Sequence, residues 1–256
     1  MAPRSLWNGS IAFGLVTVPV KVYTATDSKS VHFREVHAKD GSRIEHRRIC
    51  PKEGKAVEYK DIVKGFELSK GKWVELTDEE VAAAAGTQAR LIDVDHFVPA
   101  EAIDPDFFER TYYLGAGDKG KDAYALLHAA LDKAERAGVG SWTFHNRERT
   151  VVIRTLDDVL ALHTMRFADE LVDPRDYDVP RVRKKPSAQE IKMATALVEG
   201  LSAEFDPTAY QDEYREAVLA VVKAKAEGKN IEPPADEEPE SGDDLLASLE
   251  ASLAAA

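Results

Sequence analysis

The stretch SIAFGLVTVPVKVYT, residues 10–24, decides the fold class. It is rich in β-branched and aromatic residues and lacks the polar alternation of a half-exposed strand. This pattern predicts a strand or a strand pair that is buried on both faces. Pro19 allows a bend or a sheet edge near its centre. We therefore expect a mainly β protein with some α-helix, whose core is built around these first strands.

More strands are predicted downstream of this stretch. Residues 92–99 and 110–114 are typical of strands, and residues 140–155 of a hairpin that turns at 146–148. Residues 159–167 could form a strand or a helix, and their β-rich context favours a strand. The middle of the chain is therefore expected to extend the first strands into a larger sheet or barrel.

Two helices are expected among these strands. Thr77 and Glu80 form a capping box that starts a short helix. A longer helix is predicted over residues 123–137, with Asp122 as its cap and Gly138 as its end. Its apolar stripe predicts that one face packs against the sheet.

Residues 31–50 predict a long hairpin with an unusual charge pattern. Two segments, 31–38 and 43–50, flank the sequence KDGS, whose Asp-Gly step supplies the positive φ of a hairpin turn. Alternation places polar or charged side chains on both faces, so neither face resembles a core. We expect such a ribbon to project from its domain and to contact something large and charged.

The charge of the chain is distributed unevenly. The formal net charge is −12, but residues 231–256 contain eight acidic residues and no basic one. Residues 29–60 instead contain nine Lys or Arg against five Asp or Glu. A polyanion partner is therefore compatible with this segment although the chain as a whole is acidic.

The last third of the sequence changes character. A proline-containing linker at 173–186 carries the basic group Arg181, Arg183, Lys184 and Lys185. A second capping box, Ser187 with Glu190, then begins a predicted helix, and residues 210–227 predict another that stops at Gly228. The apolar stripes of these helices have no obvious partner within their own segment.

The C-terminal residues combine an acidic linker with a short apolar pattern. Residues 231–243 are too polar to bury a core and predict a disordered linker. The sequence DDLLASLEASL follows, in which Asp244 can cap a short helix with one small apolar face. That face consists of Leu245, Leu246, Leu249 and Leu253.

Several classes of protein are disfavoured by the composition. Cys50 is the only cysteine, which excludes an intrachain disulfide, and we expect it to be a small buried hydrophobic residue. The seven histidines show no metal-binding spacing, so no metal or other cofactor is expected. The sequence has no apolar run typical of a signal peptide or a membrane span, which favours the cytoplasm.

Two patterns keep an enzymatic alternative open. Gly115, Gly120 and Lys121 satisfy the spacing G-x-x-x-x-G-K of a phosphate-binding loop. Asp122 follows where Ser or Thr would bind magnesium, and its carboxylate would repel phosphates, so a glycine-rich turn is the preferred interpretation. Asp93 and Asp95 share one strand face and could hold a metal, although solvated strand carboxylates are more common. The alternative function is therefore a nucleotide- or metal-dependent enzyme.

Four segments of the sequence resemble the bacterial Ku proteins. They are RSLWNGSIAFGLVTVPVKVY at 4–23, DIVKGFEL at 61–68, IDPDFFERTYYL at 103–114 and EFDPTAYQDEYREAVLAVVKAKAEGK at 204–229. The resemblance covers about nine-tenths of the chain in the same order. It implies a Ku-core β-barrel with a helical C-terminal arm, in which two copies form a ring around duplex DNA. It implies a non-enzymatic protein of double-strand break repair, located in the cytoplasm at the nucleoid.

The resemblance also divides the chain. Residues 1–186 would form the barrel core, and the basic hairpin at 30–60 would be the bridge that closes the ring over DNA. Residues 187–230 would form the dimerisation arm, and residues 231–256 a flexible acidic tail with a partner-binding helix. The four leucines of that helix would contact an ATP-dependent DNA ligase. Related chains often carry a second cysteine near Cys50 or a lysine-rich tail, and this sequence has neither.

The expected DNA contacts are basic residues in the two hairpins. Arginine is favoured because its guanidinium can make two parallel hydrogen bonds to a phosphate. We expect contacts to the phosphates of double-stranded DNA ends, independent of base sequence. The candidates are Arg34, Lys39, Arg43, Arg47, Arg48, Lys52, Arg147 and Arg149.

Overall fold

A computed structural model of the protein describes residues 4–84, 90–145, 147–178 and 186–229. The chain divides into two compact units, one of residues 1–28 and 34–176 and one of residues 29–33 and 177–256. The strands are β1 Trp7–Phe13, β2 Val16–Thr24, β3 Ile49–Cys50, β4 Lys55–Ala56, β5 Lys64–Ser69, β6 Lys72–Leu76, β7 Leu91–Pro99, β8 Phe108–Ala116, β9 Arg136–Phe144, β10 Arg147–Leu156 and β11 Val159–Met165. The helices are α1 Asp78–Ala84, α2 Lys121–Ala134, α3 Ala188–Gly200 and α4 Glu213–Ala226.

Seven strands of the first unit close into a barrel in the order β1, β2, β8, β11, β10, β9 and β7. All neighbouring strands are antiparallel except β1 and β7, whose parallel pairing closes the barrel. The strands β3 with β4 and β5 with β6 form separate two-stranded sheets. The predicted mixed fold, a β-barrel with helices, is confirmed.

The opening stretch forms a strand pair, one of the two predicted arrangements, because β1 and β2 are joined by a turn in which Gly14 has a φ of +57°. Its predicted burial on both faces is only partly correct. Val18, Val20 and Val22 are buried, whereas Pro19 and Lys21 between them are half-buried. The alternation arises because one face of β2 lines the barrel interior and the other faces outward.

The barrel interior is filled by aliphatic and aromatic side chains. Trp142 is fully buried, stacks on Phe144 at a centroid distance of 4.5 Å, and meets the edges of Trp7 and Tyr112. Gly140, on the same strand as Trp142, lies so close to β7 that an added Cβ would collide with the Asp93 carbonyl group. Close packing of this kind fixes the pairing of β7 with β9.

Helix α2 packs on the barrel through Leu127 and Leu131, as its apolar stripe predicts. Its predicted ends are wrong. The helix follows Gly120, and Asp122 lies in the first turn without forming a side-chain cap. The helix ends at Ala134 because Glu135 adopts a left-handed conformation. Gly138 lies inside β9, where its missing Cβ leaves room for Val94 and Phe97.

The remaining predictions for the first unit were mostly correct. The box of Thr77 and Glu80 caps α1 with hydrogen bonds of 2.8 and 3.1 Å. Residues 159–165 form a strand. The turn between β9 and β10 begins at His145, with a φ of +52°, and not at residue 146 as predicted, because Arg147 already pairs with Phe144.

The second unit contains α3 and α4. Ser187 and Glu190 form the predicted capping box, with bonds of 2.6 and 3.2 Å, and Asp212 caps α4. Neither helix has a buried residue, and within the described part of the unit their apolar side chains are exposed or half-buried. The basic group at 181–185 and the four leucines at 245–253 lie outside the described residues. Across the described ranges no helix has the length and apolarity needed to cross a bilayer.

Candidate nucleic-acid interface

The predicted basic hairpin is a basic loop over residues 32–56 with very little strand pairing. The turn at 37–42 forms as expected, with His37 N donating to Ser42 O at 2.7 Å and Gly41 at a φ of +71°. The long ladder does not form, and one bridge joins Val36 to Arg43. Strands β3 and β4 then pair over two residues each. A ribbon without an apolar face gains no burial from a longer ladder, which explains its absence.

Every residue from 32 to 49 is exposed. This includes apolar side chains such as Phe33 and Ile44 together with all the charged ones. Cys50 is half-buried in β3 and is not the fully buried residue expected from the sequence. The exposure of both sides of the basic loop agrees with the polar pattern on both predicted faces.

Two acidic residues of the basic loop contact histidines and not arginines. His46 Nε2 lies 2.9 Å from a Glu35 carboxylate oxygen, and His37 Nδ1 lies 3.1 Å from Asp40. Hydrogen bonds from Ser42 to Asp40, together with the contact to His37, hold the pKa of the Asp40 carboxyl below its usual range. Because Glu35 and Asp40 contact imidazoles, they do not occupy the guanidinium groups of the loop.

Four of the predicted DNA contacts have no acidic partner within ion-pair distance among the described residues. These are Arg34, Lys39, Arg43 and Lys52. Arg47 approaches Glu45 only to 4.0 Å, and the Arg48 guanidinium lies 5.3 Å from the centre of the Tyr59 ring. The six DNA contacts predicted in this loop are thus all exposed, and none of them forms a close ion pair within the described residues.

The two arginines predicted beside the second hairpin tip, unlike those of the basic loop, lie close to glutamates from other elements. Arg149 Nη1 donates to Glu109 at 2.9 Å, and Arg147 lies 3.6 Å from Glu170. Arg166 lines the same pocket and was missed by the sequence reasoning. Period-two spacing places Arg147 and Arg149 on one face of β10, but their acidic neighbours come from distant parts of the chain.

The glycine-rich turn before α2 serves packing. Gly117 N donates to Pro19 O at 2.8 Å, and Gly120 N donates to Gly117 O at 3.0 Å. An added Cβ at Gly120 would lie 2.8 Å from Pro19 O, so a glycine is needed there to approach β2. Since these amides already have partners, they are not free to bind a phosphate.

The second enzymatic candidate also finds no supporting geometry. Asp93 and Asp95 are exposed on β7. Within the described ranges, no three His, Cys, Asp or Glu side chains come together as a metal site would require. Solvated strand carboxylates are therefore the better interpretation of this pair.

The described part of the chain combines a closed barrel, an exposed basic loop and two C-terminal helices without a buried residue. Residues 12–193 match the family described as the Ku70/Ku80 beta-barrel domain. The chain is 41% identical to the non-homologous end joining protein Ku of Mycolicibacterium smegmatis, covering 98% of this chain and 82% of that protein. The protein of the same name from Mycobacterium tuberculosis (strain CDC 1551 / Oshkosh) is 38% identical, and the match covers 98% of this chain and 95% of that protein. The one from Anaeromyxobacter sp. (strain K) is 42% identical, and the match covers 99% of this chain and 86% of that protein. The chain belongs to the Ku family.

Proposed function

We propose that this protein binds the ends of double-stranded DNA as a ring-shaped homodimer in the repair of double-strand breaks by non-homologous end joining. The observation that carries the proposal is the basic loop, which holds Arg34, Lys39, Arg43 and Lys52 exposed and without close acidic partners. Such side chains fit the phosphates of a duplex and do not depend on its bases. Membership of the Ku family and the names of the relatives support the same function.

The exposed apolar surface supports self-association. In the second unit Val198, Leu201 and Tyr214 are exposed along α3, its end and α4. In the first unit the β5–β6 sheet exposes Phe66 and Trp73 by about 60% each. Large apolar side chains clustered on a surface mark interaction sites. A second copy of the chain is the proposed partner for the arm at 187–230, and the ring follows from two such contacts.

Recruitment of an ATP-dependent DNA ligase is the second part of the proposal. Its support is the sequence pattern of Leu245, Leu246, Leu249 and Leu253, which would place four leucines on one face of a helix. The acidic residues around them would keep this segment away from DNA by charge repulsion. The tail would therefore be available to a protein partner, at the nucleoid in the cytoplasm, while the basic loop contacts DNA.

Competition between linear and closed circular duplexes tests end binding most directly. A ring that threads onto DNA needs a free end, so an excess of linear duplex should displace a labelled linear duplex, and a relaxed circle of the same sequence should not. Equal competition by both forms would overturn the proposed topology. Assays for phosphate release and DNA cleavage on the same samples test the enzymatic alternative, and no activity is expected.

A further inference from the structure

A polar pocket lies where β8 and β10 begin and β11 ends. Its volume is about 240 Å³. We call it the arginine pocket, and its polar residues are Glu109, Arg147, Arg149, Arg166 and Glu170. The pocket is smaller than the roughly 300–1,000 Å³ typical of sites for drug-sized ligands. A ligand group of a few atoms is therefore the appropriate size.

Arg166 is held at the wall of the arginine pocket by backbone groups. Its Nη1 donates to the carbonyl oxygens of Asp106 at 2.7 Å and Phe108 at 2.6 Å. Its Nε and Nη2 have no hydrogen-bond partner in the described part of the chain. A guanidinium carries five N–H donors and stays protonated. Arg166 is thus a fixed cation whose Nε and Nη2 can still donate hydrogen bonds to a ligand.

Arg149 is also held in place, and some of its N–H donors have no partner within the described residues. Its Nη1 donates to Oε2 of Glu109, which additionally accepts a hydrogen bond from Thr164 at 3.2 Å. Glu109 is therefore held by two donors, and it in turn orients Arg149. Because this contact occupies one edge of the guanidinium, further N–H donors of Arg149 remain.

Arg147 is the most weakly engaged of the three arginines. Its Nη2 lies 3.6 Å from Glu170, which is beyond a normal hydrogen bond. The other carboxylate oxygen of Glu170 accepts from Phe167 N at 2.8 Å. Glu170 is therefore committed to its own backbone turn, whereas the Arg147 side chain, 58% exposed, can turn towards another anion.

We propose that the arginine pocket binds one tetrahedral phosphate group. Three guanidiniums face two carboxylates there, which leaves an excess of one positive charge and several unused donors. Phosphate oxygens accept the paired hydrogen bonds that guanidinium groups offer. The phosphate could belong to a DNA end, in which case the inference rests on the proposed function, or to a free phosphate compound, in which case it does not.

Titration of the full-length protein with inorganic phosphate, followed by phosphorus NMR line width, tests the pocket. Arg147→Gln should weaken phosphate binding by about tenfold, the loss expected for one charge-assisted hydrogen bond. Glu170→Gln should tighten it by up to about fivefold, because a competing charge is removed while the amide oxygen can still cap Phe167. Arg175→Gln is the matched control, since Arg175 also pairs with a nearby carboxylate, Asp173, but lies outside the pocket.

The same variants identify the source of the phosphate. If Arg147→Gln also lowers affinity for linear duplex and inorganic phosphate competes with duplex, the phosphate is that of DNA. If duplex affinity is unchanged while inorganic phosphate binding is lost, the pocket serves a free phosphate compound. Absence of phosphate binding by the parent protein, or equal binding by Arg147→Gln and Arg175→Gln, would overturn the inference. Neither of these results would affect the preference for linear over circular duplex.

Discussion

Arg154 Nε donates a hydrogen bond to Nε2 of His163 at 3.0 Å, between the neighbouring strands β10 and β11. An arginine Nε can only donate, so His163 Nε2 must accept and the ring proton must be on Nδ1. Nδ1 lies 3.0 Å from Thr111 Oγ1 and can donate to it. Burial, followed by the charge of Arg154, lowers the pKa of His163 from 6.5 to about 4. The folded protein therefore contains a neutral histidine at neutral pH.

The pH dependence of stability should report this histidine. Between pH 6.5 and about 4 the unfolded chain protonates His163 and the folded chain does not, so the free energy of unfolding falls as the pH falls. Above pH 6.5 the neutral His163 makes its full contribution to the free energy of unfolding. At pH 5 the free energy of unfolding should be lower by about 2 kcal/mol. Urea unfolding at pH 7 and pH 5 measures this loss.

A variant and a control isolate the effect of His163. His163→Gln should be less stable at pH 7 and should show a correspondingly smaller difference between the two pH values. His37→Gln, at an exposed histidine of the basic loop, should retain the pH dependence of the parent. If the parent and His163→Gln lose the same stability between pH 7 and pH 5, the assignment of the neutral tautomer is incorrect.

The salt dependence of DNA binding should depend on the basic loop. The log–log slope changes by about 0.9 for each phosphate contact removed, so Arg34→Ala with Arg43→Ala should flatten it by about 1.8. Arg47→Ala with Arg48→Ala should flatten it less, because Arg48 lies over Tyr59 and Arg47 approaches Glu45. Fluorescence anisotropy over a salt series measures the slopes.

Duplexes of different base composition and a charge change outside the basic loop serve as controls for the salt experiment. Both double variants should weaken binding equally on duplexes of different sequence, because phosphates carry no base information. Lys229→Ala, at an exposed lysine paired with Glu227, should leave the slope unchanged. An unchanged slope in both double variants would exclude the basic loop from the DNA interface.

Deletion of residues 243–256 should separate DNA binding from ligase stimulation. We expect the shortened chain to bind linear duplex like the parent and to lose stimulation of an ATP-dependent DNA ligase, measured as joined product over time. Leu249→Asp should reproduce the loss because it charges the apolar face. Ala251→Asp is the matched control, since helical spacing would place it away from that face. Loss of DNA binding on deletion would contradict this division of roles.

Removal of one hydroxyl should weaken the attachment of α2 to the barrel. The Tyr124 hydroxyl donates to Leu114 O at 2.6 Å and accepts from Leu160 N at 2.8 Å, so it bridges β8 and β11. Tyr124→Phe leaves two backbone groups without this partner and should lower the free energy of unfolding by about 1–3 kcal/mol. Tyr113→Phe, at a tyrosine 40% exposed, should change stability by less than about 0.5 kcal/mol in the same urea titration.

Much of the secondary structure could be predicted because its determinants are local. The capping boxes at Thr77 and Ser187 were predicted correctly, since each depends on a bond between residues three apart. The β-branched residues at the start of the chain predicted a strand or a strand pair, and a pair forms. The ends of α2 were predicted incorrectly, because Asp122 and Gly138 have local propensities that the packing of the barrel overrides.

The candidate site was predictable in charge but not in geometry. The sequence by itself determined that residues 29–60 carry an excess of basic groups, and that a ribbon polar on both faces could not belong to the core. Only the tertiary structure decided that the ladder of this ribbon shrinks to one bridge and that two of its carboxylates contact histidines. It alone also decided that Arg149 meets Glu109, forty residues earlier in the chain. Local patterns determine which side chains a segment offers, whereas barrel closure determines which distant charges become neighbours.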